Sequence, residues 1–281
     1  MGNLSSKAHI RGILARHEIF PKKNYGQNFL VDGHVLERIM TAADLSADDA
    51  VIEIGPGLGV LTAEAASRAG FVTAIEIDSR LIPILQENLI NFDNIRIINQ
   101  DILKTDIAEF IEPGKSVKIL ANLPYYITTP IIFQLLESQI PIKSMIIMVQ
   151  REVARRMMAS PKSKDYSALT VNLAYYAKCS LVANVPSNCF FPRPDVDSAV
   201  IKLDIHENPP IDTNNSANLF ATIRAAFSMR RKTLENCLSH GLGISKTAAA
   251  AAILSAGFSP TIRGEEMSLE DYGILVKHIY D

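Results

Sequence analysis

The sequence predicts an α/β chain, an open sheet of parallel strands with helices between them, followed by a small all-helical part. Three observations predict it. Short apolar runs recur at residues 51–54, 71–77, 95–98 and 117–120, with the length and β-branched content of buried strands. The first run passes at once into Gly55-Pro56-Gly57-Leu58-Gly59 and then a helical pattern over 60–69. After His206 and a polar, proline-bearing linker (207–216), the periodicity is helical throughout.

The first strand, glycine turn and helix have the order a nucleotide-binding crevice needs. Glycines permit a tight turn and let a ligand approach the backbone. Their spacing is G-x-G-x-G rather than the G-x-G-x-x-G of dinucleotide sites. A shorter, wider turn suits a cofactor with no phosphates to cradle, such as S-adenosylmethionine. The second strand ends at Glu76, about twenty residues beyond the turn, where a carboxylate can bind both ribose hydroxyls. Asp78 can instead cap the helix that starts near Ser79. The third strand ends at Asp101, placed to accept a hydrogen bond from a cofactor adenine, with Ile102 beside it to pack on the ring. The fourth leads into Asn122. In an open α/β sheet, Gly55, Glu76, Asp101 and Asn122 all face one crevice at the carboxyl edge.

Asn122-Leu123-Pro124-Tyr125 is the most telling stretch. The Asn122 side-chain oxygen and the Leu123 carbonyl can both accept from one planar amino group, while the Tyr125 ring lies flat on the attached base. Two acceptors that draw the amino protons out of plane make the nitrogen more nucleophilic. That suits methyl transfer to the exocyclic nitrogen of adenine. Read alone, a strand-end turn rich in Asn and Pro is usually only a turn; the four strand ends together are far more specific.

The chain has 281 residues, 48% of them hydrophobic, and a net charge of −2. That length accommodates one large or two modest domains. The boundary is expected near His206, giving domains 1–206 and 207–281. No run of apolar residues is long enough to span a membrane and no secretory signal is evident, so a cytoplasmic protein is expected. Cys179, Cys189 and Cys237 are odd in number and widely spaced, and the histidines lack ligand spacing; reduced thiols and no metal site follow. The overall charge is not that of a typical nucleic-acid-binding domain. Local basic groups nonetheless gather at Lys22-Lys23, at Arg151, Arg155 and Arg156, at Lys162 and Lys164, and at Arg230-Arg231-Lys232. Phosphate contacts need such local groups, and solvated helix faces carry them too. Helices are expected near 217–227, 231–240, 246–256 and 269–280, the last capped by Ser268.

Taken with Lys22-Lys23-Asn24-Tyr25-Gly26-Gln27-Asn28-Phe29-Leu30, Gln150-Arg151-Glu152-Val153-Ala154, residues 190–200 and residues 227–238, these motifs resemble the KsgA-type ribosomal RNA adenine N6,N6-dimethyltransferases. The resemblance covers almost the whole chain. It implies a Rossmann-like S-adenosylmethionine-dependent methyltransferase sheet whose small all-helical C-terminal domain helps dock RNA. It implies two adjacent adenosines as target, in a hairpin loop near the 3′ end of small-subunit rRNA within an assembling subunit, and a monomeric enzyme without metal. Asn28 and Leu30 then close over the methionine end of the cofactor, Gly55 and Gly57 line the glycine turn, Glu76 holds the ribose and Asp101 the adenine. Asn122 touches both cofactor and target. Phe190, two positions before Pro192, flanks the target base opposite Tyr125, while Phe191 is left to the core.

Three alternatives stand beside this reading. An RNA-binding assembly factor with secondary methylation is disfavoured by the intact strand-end groups. A large-subunit rRNA methyltransferase of the macrolide-resistance type is disfavoured by Leu123 and residues 227–238. An NAD-dependent dehydrogenase is disfavoured by the glycine spacing.

Overall fold

A computed structural model describes residues 6–21, 26–111, 115–124, 127–138, 140–213 and 215–280. Tyr125, Lys22 and Lys23 lie outside the described residues. The chain forms two compact units, Met1–Ala154 with Ser180–Ile205, and Arg155–Cys179 with His206–Asp281.

In chain order the first unit opens with helix α1 (Lys7–Arg16), strand β1 (Phe29–Leu30) and helix α2 (Gly33–Ala43). Asp32 caps α2 by accepting from the Val35 amide at 3.0 Å. Then come β2 (Ala50–Ile54), α3 (Val60–Ala66), β3 (Phe71–Glu76), α4 (Ile82–Asn88), β4 (Ile95–Asn99), β5 (Val117–Asn122), α5 (Thr128–Glu137), β6 (Ile142–Gln150) and α6 (Arg151–Met157). After α7 (Ala168–Tyr176) follow β7 (Ala177–Val185), β8 (Phe190–Phe191) and β9 (Ser198–Ile205). Among the described residues, seven strands make one sheet in the order β4-β3-β2-β5-β6-β9-β7. The pairs from β4 to β6 are parallel and β9 runs antiparallel to β6.

Parallel strands covered on both faces read as continuous apolar runs, which is why β2, β5 and β6 are almost wholly buried. One core cluster packs α2 and α3 against the sheet through Leu36, Ile39, Met40, Ala65, Leu120, Ile146 and Val200. The strand order reverses between β2 and β5, because β3 and β4 extend to one side and β5 starts the other. Ligands in open α/β sheets bind at the carboxyl ends on either side of such a switch point.

The second unit holds α7 together with α8 (Ser216–Ala226), α9 (Leu234–Leu242), α10 (Lys246–Ser255) and α11 (Leu269–Tyr280). Ser268 and Asp271 cap α11 reciprocally, at 2.9 and 3.2 Å. The core of this unit also takes in Tyr166 and Val171, and the Tyr166 hydroxyl donates to the Met267 carbonyl at 2.7 Å. Residues 155–179 thus pack with the helices, whereas a single division at His206 leaves them with the sheet. No helix among the described residues is long and apolar enough to cross a membrane.

Candidate active site

The register builds the crevice. Ile54 pairs with Ala121 on one side and Ile75 on the other, so Gly55 stands beside Asn122 and Glu76. The Gly55 amide donates to the Ile75 carbonyl at 3.0 Å. Gly55 and Gly57 have φ of +71° and +59°, where L side chains are strained. A Cβ on Gly57 would also meet the Phe29 ring at 3.1 Å. The turn therefore needs glycine for its own path and for the close approach of residues 26–30.

Two carboxyl groups line the cavity formed here. Glu76, at the end of β3, accepts from the Gly57 amide at 3.2 Å and from the Asp78 amide at 2.8 Å. Burial, helped by the charge of Asp78, pushes its carboxyl up to about 7 against the pull of those amides. Glu53 on β2 is 1% exposed. Burial, with Glu76 nearby, pushes it up to about 8. Its Oε2 has no hydrogen-bond partner among the described residues. Asp78 caps the following turn and also receives the Gln27 amide at 2.8 Å and the Arg80 guanidinium at 2.6 and 2.9 Å. Burial alone would raise Asp78, but the Arg80 and Gln27 bonds outweigh it and hold it low.

Residues 26–28 pack on the turn after β5. A Cβ on Gly26 would meet Pro124 at 3.1 Å. The Asn28 amide donates to the Gly26 carbonyl at 3.0 Å, and the Asn122 amide nitrogen donates to the Asn28 carbonyl at 3.1 Å. Asn122 thereby keeps its side-chain oxygen as an acceptor. Leu123 is buried, and Thr128 at the start of α5 holds the Pro124 carbonyl at 3.0 Å.

The structure thus gathers Asn28, Leu30, Gly55, Gly57, Glu76 and Asn122 around one cavity. Asp101 and Ile102 stand at the end of β4 and are not among the residues lining it. Asp101 caps a short 3-10 turn through the Leu103 amide at 3.1 Å, and Ile102 is buried. Phe190 and Phe191 depart from the sequence expectation. Leu30 pairs with Phe190 and Phe29 with Phe191, and this register turns Phe190 into the core at 2% exposure. Phe191 is the half-buried ring, with the Arg11 guanidinium 5.0 Å from its centroid. Tyr125, expected opposite Phe190, is among the residues not described. Arg151 pairs with Asp197 at 3.2 Å. Sequence reasoning gave no role to Glu53, Gln27 or Phe29. A lone Glu inside the apolar run Val51-Ile52-Glu53-Ile54 was the available signal, because a buried acid needs a partner.

The cavity fits the cofactor expected from the resemblance, a nucleoside with a cationic tail. A glycine turn with backbone at positive φ, tight against the Phe29 ring at Gly57, admits it, and a fully buried carboxyl offers an unmet oxygen to its positive charge. Among the described residues no group of His, Cys, Asp and Glu could hold a metal ion.

Comparison with known proteins identifies the family. Residues 20–256 match the ribosomal RNA adenine dimethylase family. A ribosomal RNA small subunit methyltransferase A from Lachnoclostridium phytofermentans is 49% identical over 94% of this chain and 93% of its own. One from Alkaliphilus oremlandii is 42% identical over 99% of both. The crystal structure of a dimethyladenosine transferase from Plasmodium falciparum superposes with a TM-score of 0.74 at 28% identity, over 88% of this chain and 95% of that one. That of the 23S rRNA methyltransferase ErmE gives 0.71 at 29% identity, over 90% and 100%. The chain belongs to the ribosomal RNA adenine dimethylase family and is an S-adenosylmethionine-dependent methyltransferase.

Proposed function

We propose that this enzyme dimethylates N6 of two adjacent adenosines in the 3′-terminal hairpin loop of small-subunit rRNA, as a cytoplasmic monomer acting on an assembling subunit. Relatives 42–49% identical over nearly their whole length carry the small-subunit name, which favours this substrate over large-subunit RNA. The observation that carries the chemistry is the orientation of Asn122. Its amide nitrogen is already engaged by the Asn28 carbonyl, so its oxygen is the group left to accept from the target amino group.

When bound, S-adenosylmethionine supplies a methyl group made electrophilic by its sulfonium. Glu76 would hold the ribose hydroxyls, Gly55 and Gly57 would let the nucleoside approach the backbone, and Asp101 and Ile102 would take the adenine. Asn28 and Leu30 close the methionine end. Asn122 and the Leu123 carbonyl fix the target nitrogen in line and stabilise the positive charge that develops on it. Tyr125 stacks on the target base. Phe190, held beside Leu30 by the pairing of β1 with β8, flanks that base opposite Tyr125. The proton then leaves to water; no side chain is assigned as base. In the helical unit, Arg231 and Lys232 are exposed without an ion pair among the described residues, unlike Arg230, which reaches Glu265 at 3.8 Å. They supply phosphate contacts during docking.

The test is methyl transfer from labelled cofactor to unmethylated small subunits, with the modified nucleosides mapped. N6,N6-Dimethyladenosine at two adjacent positions is expected, with the rate in Asn122→Ala falling by about 10²-fold or more. Transfer to large-subunit RNA instead, or none while cofactor still binds, would overturn the assignment.

A further inference from the structure

A second groove lies on the N-terminal side of the first unit, lined by Arg11, Leu14, Glu18, Phe20, Pro21 and Phe191 among others. Phe20 is 82% exposed. Single exposed apolar residues are ordinary, but here one groove combines two aromatic rings with a guanidinium. Arg11 lies over the Phe191 ring at cation–π distance, and among the described residues no carboxylate pairs with it. Its neighbours on the same segment, Arg16 and His17, are both engaged by Glu87, at 3.2 and 3.0 Å. The groove also adjoins the catalytic cavity. Phe29 lines that cavity, pairs with Phe191 across β1 and β8, and belongs to the cluster that holds Leu14 and Leu58.

We propose that this groove stacks a base of single-stranded RNA flanking the methylated adenine. The inference rests on the RNA-methylation reading above. Aromatic rings interleaved with Arg are how sequence-tolerant single-strand sites hold bases. Glu18 in the lining disfavours a phosphate there and offers an acceptor to a base amino group. A purine flanking the target, held between Phe20 and the Arg11–Phe191 pair, would keep the strand unstacked while the target turns into the cavity.

The test uses the full-length enzyme and an adenine-rich hairpin RNA carrying 2-aminopurine beside the target, whose emission falls on stacking. Phe20→Ala is expected to restore the emission and weaken RNA binding about tenfold, with cofactor affinity unchanged. Phe20→Tyr keeps the ring and should keep both signals, and Arg11→Ala should weaken binding. If Phe20→Ala binds and quenches like the wild type while the wild type methylates, this inference falls alone. If the wild type neither binds the hairpin nor methylates small subunits, it falls together with the functional reading; if it methylates small subunits but does not bind the hairpin or quench its emission, the inference falls alone. If Phe20→Ala instead converts a dimer to a monomer in sedimentation, the groove holds a second copy and the proposal is wrong.

Discussion

Replacing Glu53 with Gln tests the electrostatics of the cavity directly. The carboxyl titrates near 4.5 when unfolded and is pushed up to about 8 by burial in the folded protein. Between those values folding takes up a proton. Stability from this group is therefore fully present below about pH 4.5 and is lost as pH rises through about 8. The ceiling on that loss is roughly 5 kcal/mol. About 3 kcal/mol of it falls between pH 5.5 and 8.5, which at a urea slope of about 3 kcal/mol per molar is a fall in midpoint of roughly 1 M. Glu76, pushed up to about 7, adds a loss of the same sign that stays in the variant. Urea unfolding of the cofactor-free protein at pH 5.5 and 8.5 reads the difference. The wild type should weaken steeply across this window, and Glu53→Gln should weaken less and be the more stable of the two at the alkaline end. Parallel profiles would refute the argument. A second readout is calorimetry. Positive charge in the cavity favours the carboxylate, so cofactor binding near neutral pH should release protons from the wild type, as a buffer-dependent heat that shrinks in the variant.

Two glycine substitutions separate the units. Gly57→Ala places a side chain at a left-handed position, which costs about 1–2 kcal/mol, and drives it into the Phe29 ring; calorimetry should show cofactor affinity down by tenfold or more. Gly241→Ala sets a Cβ 2.6 Å from that of Ala225, in the packing of α8 on α9. Overpacking of about 1–3 kcal/mol, partly offset by about 1 kcal/mol of helix propensity, should lower the thermal midpoint by a few degrees and leave cofactor affinity unchanged.

The strand ends were legible because buried parallel strands are short, apolar and β-branched, and because each apolar run stops at a glycine or a polar residue. Gly55, Glu76 and Asn122 could be placed at one edge from that pattern alone. The helices of the second unit were legible from their period and from Ser268. The contents of the cavity were less so. Which of Phe190 and Phe191 faces inward depends on a two-residue pairing with Leu30 and Phe29, and a one-residue change of register exchanges the faces. No local pattern reveals that. Residues 155–179 carry no linker signal at their ends, so the polar stretch after His206 drew the only visible boundary, although Tyr166 bonds to Met267. Glu53 looked like one acid in a strand because its burial, and the unmet Oε2 among the described residues, are three-dimensional facts.

The pairing of β1 with β8 also has a consequence in time. A chain leaves its ribosome from the N-terminus at about 5–20 residues per second, so Phe29 and Leu30 wait on the order of ten seconds for Phe190 and Phe191 to arrive. The glycine turn, Glu76 and Asn122 all emerge within that interval, while the wall that Phe29 contributes to the cofactor cavity still lacks its partner strand. A fragment released before β8 is therefore not a smaller methyltransferase but a pocket with one side unfinished, and competence for the cofactor arrives late in the protein's own synthesis.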